Sequence, residues 1–267
     1  MDEKMLSEER NKKRKILTIG IIIVIILSIC VYFYKNPYTM HDNKALAKSS
    51  VDSLLGYDNL GRDIFSRLLL GSFFSLSISF ISVSLSTIVG TIIGSFAGYY
   101  GKYLDSGIVL FTEVLIAIPS ILIALGVIVI LKAGFASMIT AIFLMYLARC
   151  INMVRGLVKK EKHMEYVVAA KTYGISKFRI IFIHILPNIT KPILINFTTG
   201  FAGAILTEAG LGYLGLGIQP PYPTWGNMLN QSQSYFLANP LFTIAPGLAI
   251  IITVYYMNKL EKRNKRF

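Results

Sequence analysis

Residues 165–188, EYVVAAKTYGISKFRIIFIHILPN, form a basic, polar interruption in an otherwise very apolar chain. Small residues recur within it at helical spacing. Ala169, Ala170 and Gly174 leave room for another protein to approach the backbone closely, and Ile185-Leu186-Pro187 leads back into apolar sequence. The spacing predicts two short helices broken at Gly174-Ile175-Ser176. A membrane chain with one elaborate loop of this kind meets a soluble partner through it.

The sequence outside this loop sets the class. Of 267 residues, 54% are hydrophobic and only 15% are charged, well below the charge of an ordinary soluble domain. Several apolar runs reach the roughly 20 residues needed to cross a bilayer core of about 30 Å. This predicts an all-α integral membrane protein in contact with lipid. The net charge of +13 does not point to nucleic acid, because the basic residues gather at the ends of apolar runs.

Six spans are expected. A cytoplasmic N-terminal tail, 1–15, ends in Lys12-Lys13-Arg14-Lys15 and leads into a first span at 16–34. That run is longer than a signal peptide core and no small-x-small cleavage site closes it, Ala45-Leu46-Ala47 lying too far downstream, so it is read as uncleaved. An outer segment, 35–70, precedes a five-helix core at 71–258, with spans near 73–100, 108–131, 135–153, 189–208 and 241–257. The core includes a cytoplasmic loop, 155–188, and an outer loop, 209–240. A basic cytoplasmic tail, 259–267, closes the chain. This topology puts both termini in the cytoplasm. All but six of the 27 Lys and Arg residues then face inward, the exceptions being Lys35, Lys44, Lys48, Arg62, Arg67 and Lys132. That is the positive-inside bias.

Within the spans, Ser82, Ser86, Gly90, Gly94 and Gly98 place a small residue at every fourth position. On a helix they form one ridge, which predicts close helix packing in lipid. Glu113 and Glu208 are the acids within spans, and each is either a structural anchor or part of a pathway or gate. Pro119, six residues beyond Glu113, frees a carbonyl and allows a kink. The segment 210–229 is too interrupted by Gly and Pro to be a lipid-exposed helix, and Tyr222 and Trp225 suit a membrane–water interface. It reads as an interfacial loop that doubles as a docking surface or gate.

Several chemistries are excluded. No stretch matches G-x-x-x-x-G-K-[ST], the phosphate-cradling loop of nucleotide hydrolases. His41, His163 and His184 are scattered, and Cys30 and Cys150 lack metal-ligand spacing and are expected near opposite faces, so no metal site or disulfide is expected. No nucleophile and base converge at membrane depth, so no catalytic residue is assigned and the chain is not expected to be an enzyme.

The loop spacing resembles the E-A-A-x-x-x-G…L-P signature of bacterial ABC import permeases, matched by Ala169, Ala170, Gly174, Leu186 and Pro187. The family's glutamate falls on Val168, so no acidic contact is carried over. The run Asp58-Asn59-Leu60-Gly61-Arg62-Asp63, the LTEAGLGYLGLG run within 205–217 and the segment 219–228 are similar to the dipeptide, oligopeptide and nickel branch, and to the second of its two paired permeases. The resemblance covers roughly 54–256. It implies a type I ABC importer permease in the cytoplasmic membrane, paired with a related permease as a heterodimer. It further implies two ATP-binding subunits that hold ATP and Mg, no cofactor on this chain, and an extracytoplasmic solute-binding protein. The implied cargo is a short peptide, nickel or a metal–chelator complex, with residues 155–188 coupling ATP hydrolysis to transport. The alternative is a gradient-driven secondary transporter using Glu113 or Glu208.

Overall fold

The computed structural model describes residues 36–265. The expected tail 1–15 and first span 16–34 lie outside the described residues, as does Cys30. Eight helices follow the outer segment: α1 Ile64–Tyr100, α2 Lys102–Ala117, α3 Ser120–Leu131, α4 Phe135–Glu161, α5 Glu165–Thr172, α6 Lys177–Tyr213, α7 Trp225–Ser232 and α8 Pro240–Lys265. The described residues contain no strand. Helices α1, α4, α6 and α8 are each long and apolar enough to cross a membrane. Together α2 and α3 are apolar enough for a broken fifth span or a re-entrant loop, bent by 91° at Ile118-Pro119.

Proline explains the break. Its ring disfavours helical backbone at the residue before it, and Ile118 is extended, with φ −80° and ψ 125°. The expected kink is therefore a full break of the helix. Other boundaries also shift. Residues 64–70 of the expected outer segment begin α1, residues 155–161 of the expected cytoplasmic loop complete α4, and 177–188 begin α6. Helix α6 runs unbroken through Leu186-Pro187 by widening to π geometry at Ile180–Ile185, where the N–H of Leu186 donates to Ile181 O. The wider turn accommodates a proline that lacks an N–H and crowds the preceding turn.

The most extensive helix contact joins α1 to α4, along the small-residue ridge. A Cβ at Gly90 would lie 2.8 Å from Cys150 Cβ, one at Gly94 2.7 Å from Ile151 O, and one at Gly98 2.7 Å from Arg155 O. The Ser86 hydroxyl donates to Phe143 O across the same seam at 2.8 Å. The ridge thus brings two backbones of this one chain together, in a medium where association depends on van der Waals contact. Gly94→Val is expected to cost about 1–3 kcal/mol or more by overpacking. Gly107→Val, at a position where an added Cβ meets nothing within 4 Å, is the control. Thermal unfolding of the two variants in mild detergent checks this.

The core of the described residues holds four apolar clusters, of which two lie along α4. One joins α1, α3, α4 and α6 through Ile78, Ala124, Met138, Ile142 and Ala204. The other, at the opposite end of the bundle, seats α5 against α4 and α6 through Val154, Val158, Val167, Ala170 and Ile180.

Candidate functional site

The loop between α4 and α6 contains one eight-residue helix, α5, and a turn. Val167 and Ala170 face inward and pack on Val154, Val158, Ile180 and Ile185. Ala169 and Val168 face outward. Of the two alanines, then, only Ala169 offers room to a partner; Ala170 is small so that α5 can lie close to its own chain. Gly174 ends the helix with φ +72°, where a residue without Cβ is favoured, and its N–H donates to Lys171 O. Nothing lies within 4 Å of a Cβ built there. Leu186 packs against the same cluster as Ala170, whereas Pro187 is exposed on α6.

The outer surface of this loop is unusually apolar for a polar, basic segment. Val168 is 51% exposed, Tyr173 85% and Phe178 63%. Large apolar side chains concentrated on one exposed surface mark an interaction site.

The loop is anchored to the helix ends around it. The Arg155 guanidinium forks onto Asp105 of α2 through Nε and Nη2, and Lys159 Nζ reaches the same carboxylate at 2.6 Å. Lys162 Nζ donates to Gly98 O of α1 at 3.1 Å, and Lys171 Nζ donates to Lys162 O at 3.3 Å. Lys171 also lies over the Tyr99 ring and Lys177 over the Tyr100 ring, at 5.5 and 5.4 Å from their centroids. Cations belong at the carbonyl end of a helix and over aromatic faces.

Glu113 and Glu208 occupy different environments. Glu113 is exposed on α2, one turn before the α2–α3 break, and from there to Leu122 every residue except Leu115 is exposed. Glu208 on α6 is completely buried. Its carboxylate lies beside the Ser75 and Thr224 hydroxyls without the geometry of a formed hydrogen bond. The two acids therefore do not form one site.

Residues 210–229 differ most from expectation. Helix α6 continues to Tyr213, and α7 begins at Trp225. Trp225 is buried within the protein: its indole N–H donates to Ser72 Oγ at 3.2 Å and its backbone N–H to Ser75 Oγ at 3.1 Å. Gly212 and Gly226 allow α6 and α7 to meet at backbone contact, a Cβ at Gly226 lying 2.6 Å from Ala209 O. The signal for α7 was present as Thr224-Trp225-Gly226-Asn227, a capping box whose side chains cap each other's backbone N–H groups. Tyr222 remains partly exposed and meets Phe74 and Phe135 edge-on.

The outer segment closes over this end with a buried charge cluster. Asp58 accepts from the N–H groups of Leu60 and Arg62 and from Arg62 Nε at 2.6 Å, with Arg67 Nε at 3.4 Å. Gln231, on α7, accepts from Arg62 at 3.3 Å and from Arg67 at 3.5 Å. Asp63 caps α1 by accepting from the Ser66 N–H. The run Asp58–Asp63 is thus a built joint between the outer segment, α1 and α7. Among the described residues, no group of three or more His, Cys, Asp and Glu is placed to hold a metal ion.

The profile of the family described as binding-protein-dependent transport system inner membrane component matches residues 90–263. The dipeptide transport system permease protein DppC of Alkalihalophilus pseudofirmus is 36% identical over 254 residues, covering 93% of this chain and 84% of that protein. The glutathione transport system permease protein GsiD of Pectobacterium atrosepticum is 39% identical over 206 residues, covering 77% and 68%. The di/tripeptide transport system permease protein DppC of Pseudomonas aeruginosa is 37% identical over 205 residues, again covering 77% and 68%. Among solved structures, a chain of the MetNI methionine ABC transporter in an inward-facing conformation superposes with a TM-score of 0.63 at 17% identity, covering 76% of this chain and 96% of that one. That likeness establishes a shared type I importer fold.

Proposed function

The chain belongs to the binding-protein-dependent transport system inner membrane component family, and on that premise we propose that it is the permease subunit of an ATP-driven importer of short peptides. It is a multi-pass protein of the cell membrane. The observation that carries the proposal is the exposed surface of α5 and its turn, with Val168, Tyr173 and Phe178 outward and Ala170 inward. Such a helix, held outside the bundle at its basic end, suits a groove on a soluble subunit. Its basic surroundings support a cytoplasmic position for it and for both termini, by the positive-inside bias.

The partners in this reading are a related permease, two ATP-binding subunits that supply ATP and Mg chemistry, and an extracytoplasmic solute-binding protein. Peptide is favoured over nickel because the relatives above carry peptide and glutathione transport in their names. Those same relatives lend no support to a gradient-driven transporter. Ala169 and Gly174 would meet the ATPase, while Ala170 and Leu186 hold the loop to its own bundle. Glu113 and the break at Pro119 would line the pathway. A carboxylate beside an opened helix, both exposed on the bundle surface, is poorly tolerated by lipid, so that surface suits water or the second permease. Glu208, buried beside α7, suits a structural anchor of the outer gate rather than a place in the pathway.

A mild-detergent pull-down from native membranes tests the assembly. The expected result is recovery of one related permease and one or two ATPases. Recovery of stable oligomers of this chain alone would remove the basis for ATP-driven coupling.

A further inference from the structure

Helix α1 has 37 residues, about 55 Å at 1.5 Å per residue, and it touches both ends of the machinery. Its inner end is gripped from both sides of the Gly174 turn. Lys171, near the end of α5, lies over Tyr99, and Lys177, the first residue of α6, lies over Tyr100. Phe182 of α6 meets Phe96 of α1 edge-on at 6.1 Å. A pivot of the loop about Gly174 would strain these ring contacts with the last turn of α1.

Over the inner third of α1, backbone contact with α4 at Gly90, Gly94 and Gly98 keeps the helix from sliding independently. Close-packed interiors pass displacement on rather than absorb it. At its outer end α1 holds the start of α7. Ser72 and Ser75 accept both N–H groups of Trp225, and a Cβ at Gly71 would rest 3.6 Å from the Thr224 backbone.

We infer that α1 is a rigid strut that carries displacement of the coupling loop to α7 on the opposite face, with Lys171 and Lys177 as the positioning residues that grip its inner end. This rests on the transport reading above and deepens it, since it specifies how the cytoplasmic loop acts on the outer surface.

The test uses the whole reconstituted complex, with Cys30→Ser and Cys150→Ala, and Gln233→Cys as a reporter just beyond α7, where the side chain is exposed. The readout is the rate of maleimide labelling in nucleotide-free and vanadate-trapped complexes. Without further substitution, that rate is expected to differ several-fold between the two states. Lys171→Met with Lys177→Met should abolish the difference while ATP hydrolysis continues, and the Arg pair, which keeps cations over both rings, should retain it. If the Met pair does not assemble, Tyr99→Leu with Tyr100→Leu removes the same grip from the α1 side and is read in the same way. A full nucleotide-dependent difference in the Met pair or in the Leu pair, or none in the complex that keeps both lysines and both tyrosines, overturns the strut. Labelling needs no peptide, so failure of that complex to take up peptide speaks against the transport reading alone.

Discussion

Gly174→Asp is expected to abolish ATP-driven uptake while leaving the chain folded in the membrane. Gly174 has φ +72° and open space around it. Aspartate visits the left-handed region with a short polar side chain, so the folding cost stays within about 1–2 kcal/mol. The cost of docking is larger. With Lys171 and Lys177 held over the Tyr99 and Tyr100 rings, a carboxylate beside Tyr173 on a surface that a partner covers would be desolvated, at several kcal/mol. A loss of about 3 kcal/mol would lower the docking equilibrium roughly a hundredfold. Gly174→Asn keeps the backbone preference without the charge and should retain most uptake. Uptake rate, normalised to the amount of assembled complex, checks both variants. Normal uptake by a stable Gly174→Asp complex would remove the coupling role from this turn.

Asp58→Ala is expected to be the most destabilising single change, by about 3–5 kcal/mol, the cost of breaking a buried ion pair from one side. Asp58 and Arg67 are fully buried and Arg62 nearly so. Without the carboxylate, two guanidinium groups face each other with only the Gln231 oxygen between them. Two backbone N–H groups also lose their acceptor. The matched control is Asp52→Ala, which removes one side of the Lys44–Asp52 pair, whose side chains are 43% and 73% exposed; solvent screens an exposed pair of this kind, so its loss changes stability little. Thermal midpoints and steady-state amounts in membranes should separate the two variants clearly.

Features that depend on local pattern were legible in the sequence. Apolar length located the four long apolar helices of the described residues, the four-residue period of Ser82 to Gly98 announced a close helix contact, and Gly174 marked the turn between two helices. Features that depend on what meets what were not. Period alone could not say that the ridge packs on Cys150, Ile151 and Arg155 of the same chain. Nor could it say that Ala170 faces inward while Ala169 faces outward. Trp225 suits an interface by composition, yet Ser72 and Ser75, about 150 residues earlier in the chain, supply its hydrogen-bond acceptors. Asp58, Arg62 and Arg67 resemble solvated loop charges until Gln231 and the outer segment close over them. In each case long-range partners override the local preference.

The most direct test of ATP-driven peptide import is uptake of a labelled dipeptide into proteoliposomes that hold the complete complex and its binding protein. Uptake is expected to require ATP and the binding protein, and to survive ionophores that collapse ion gradients. Uptake by this chain alone, driven by a gradient and lost on adding ionophore, would contradict it.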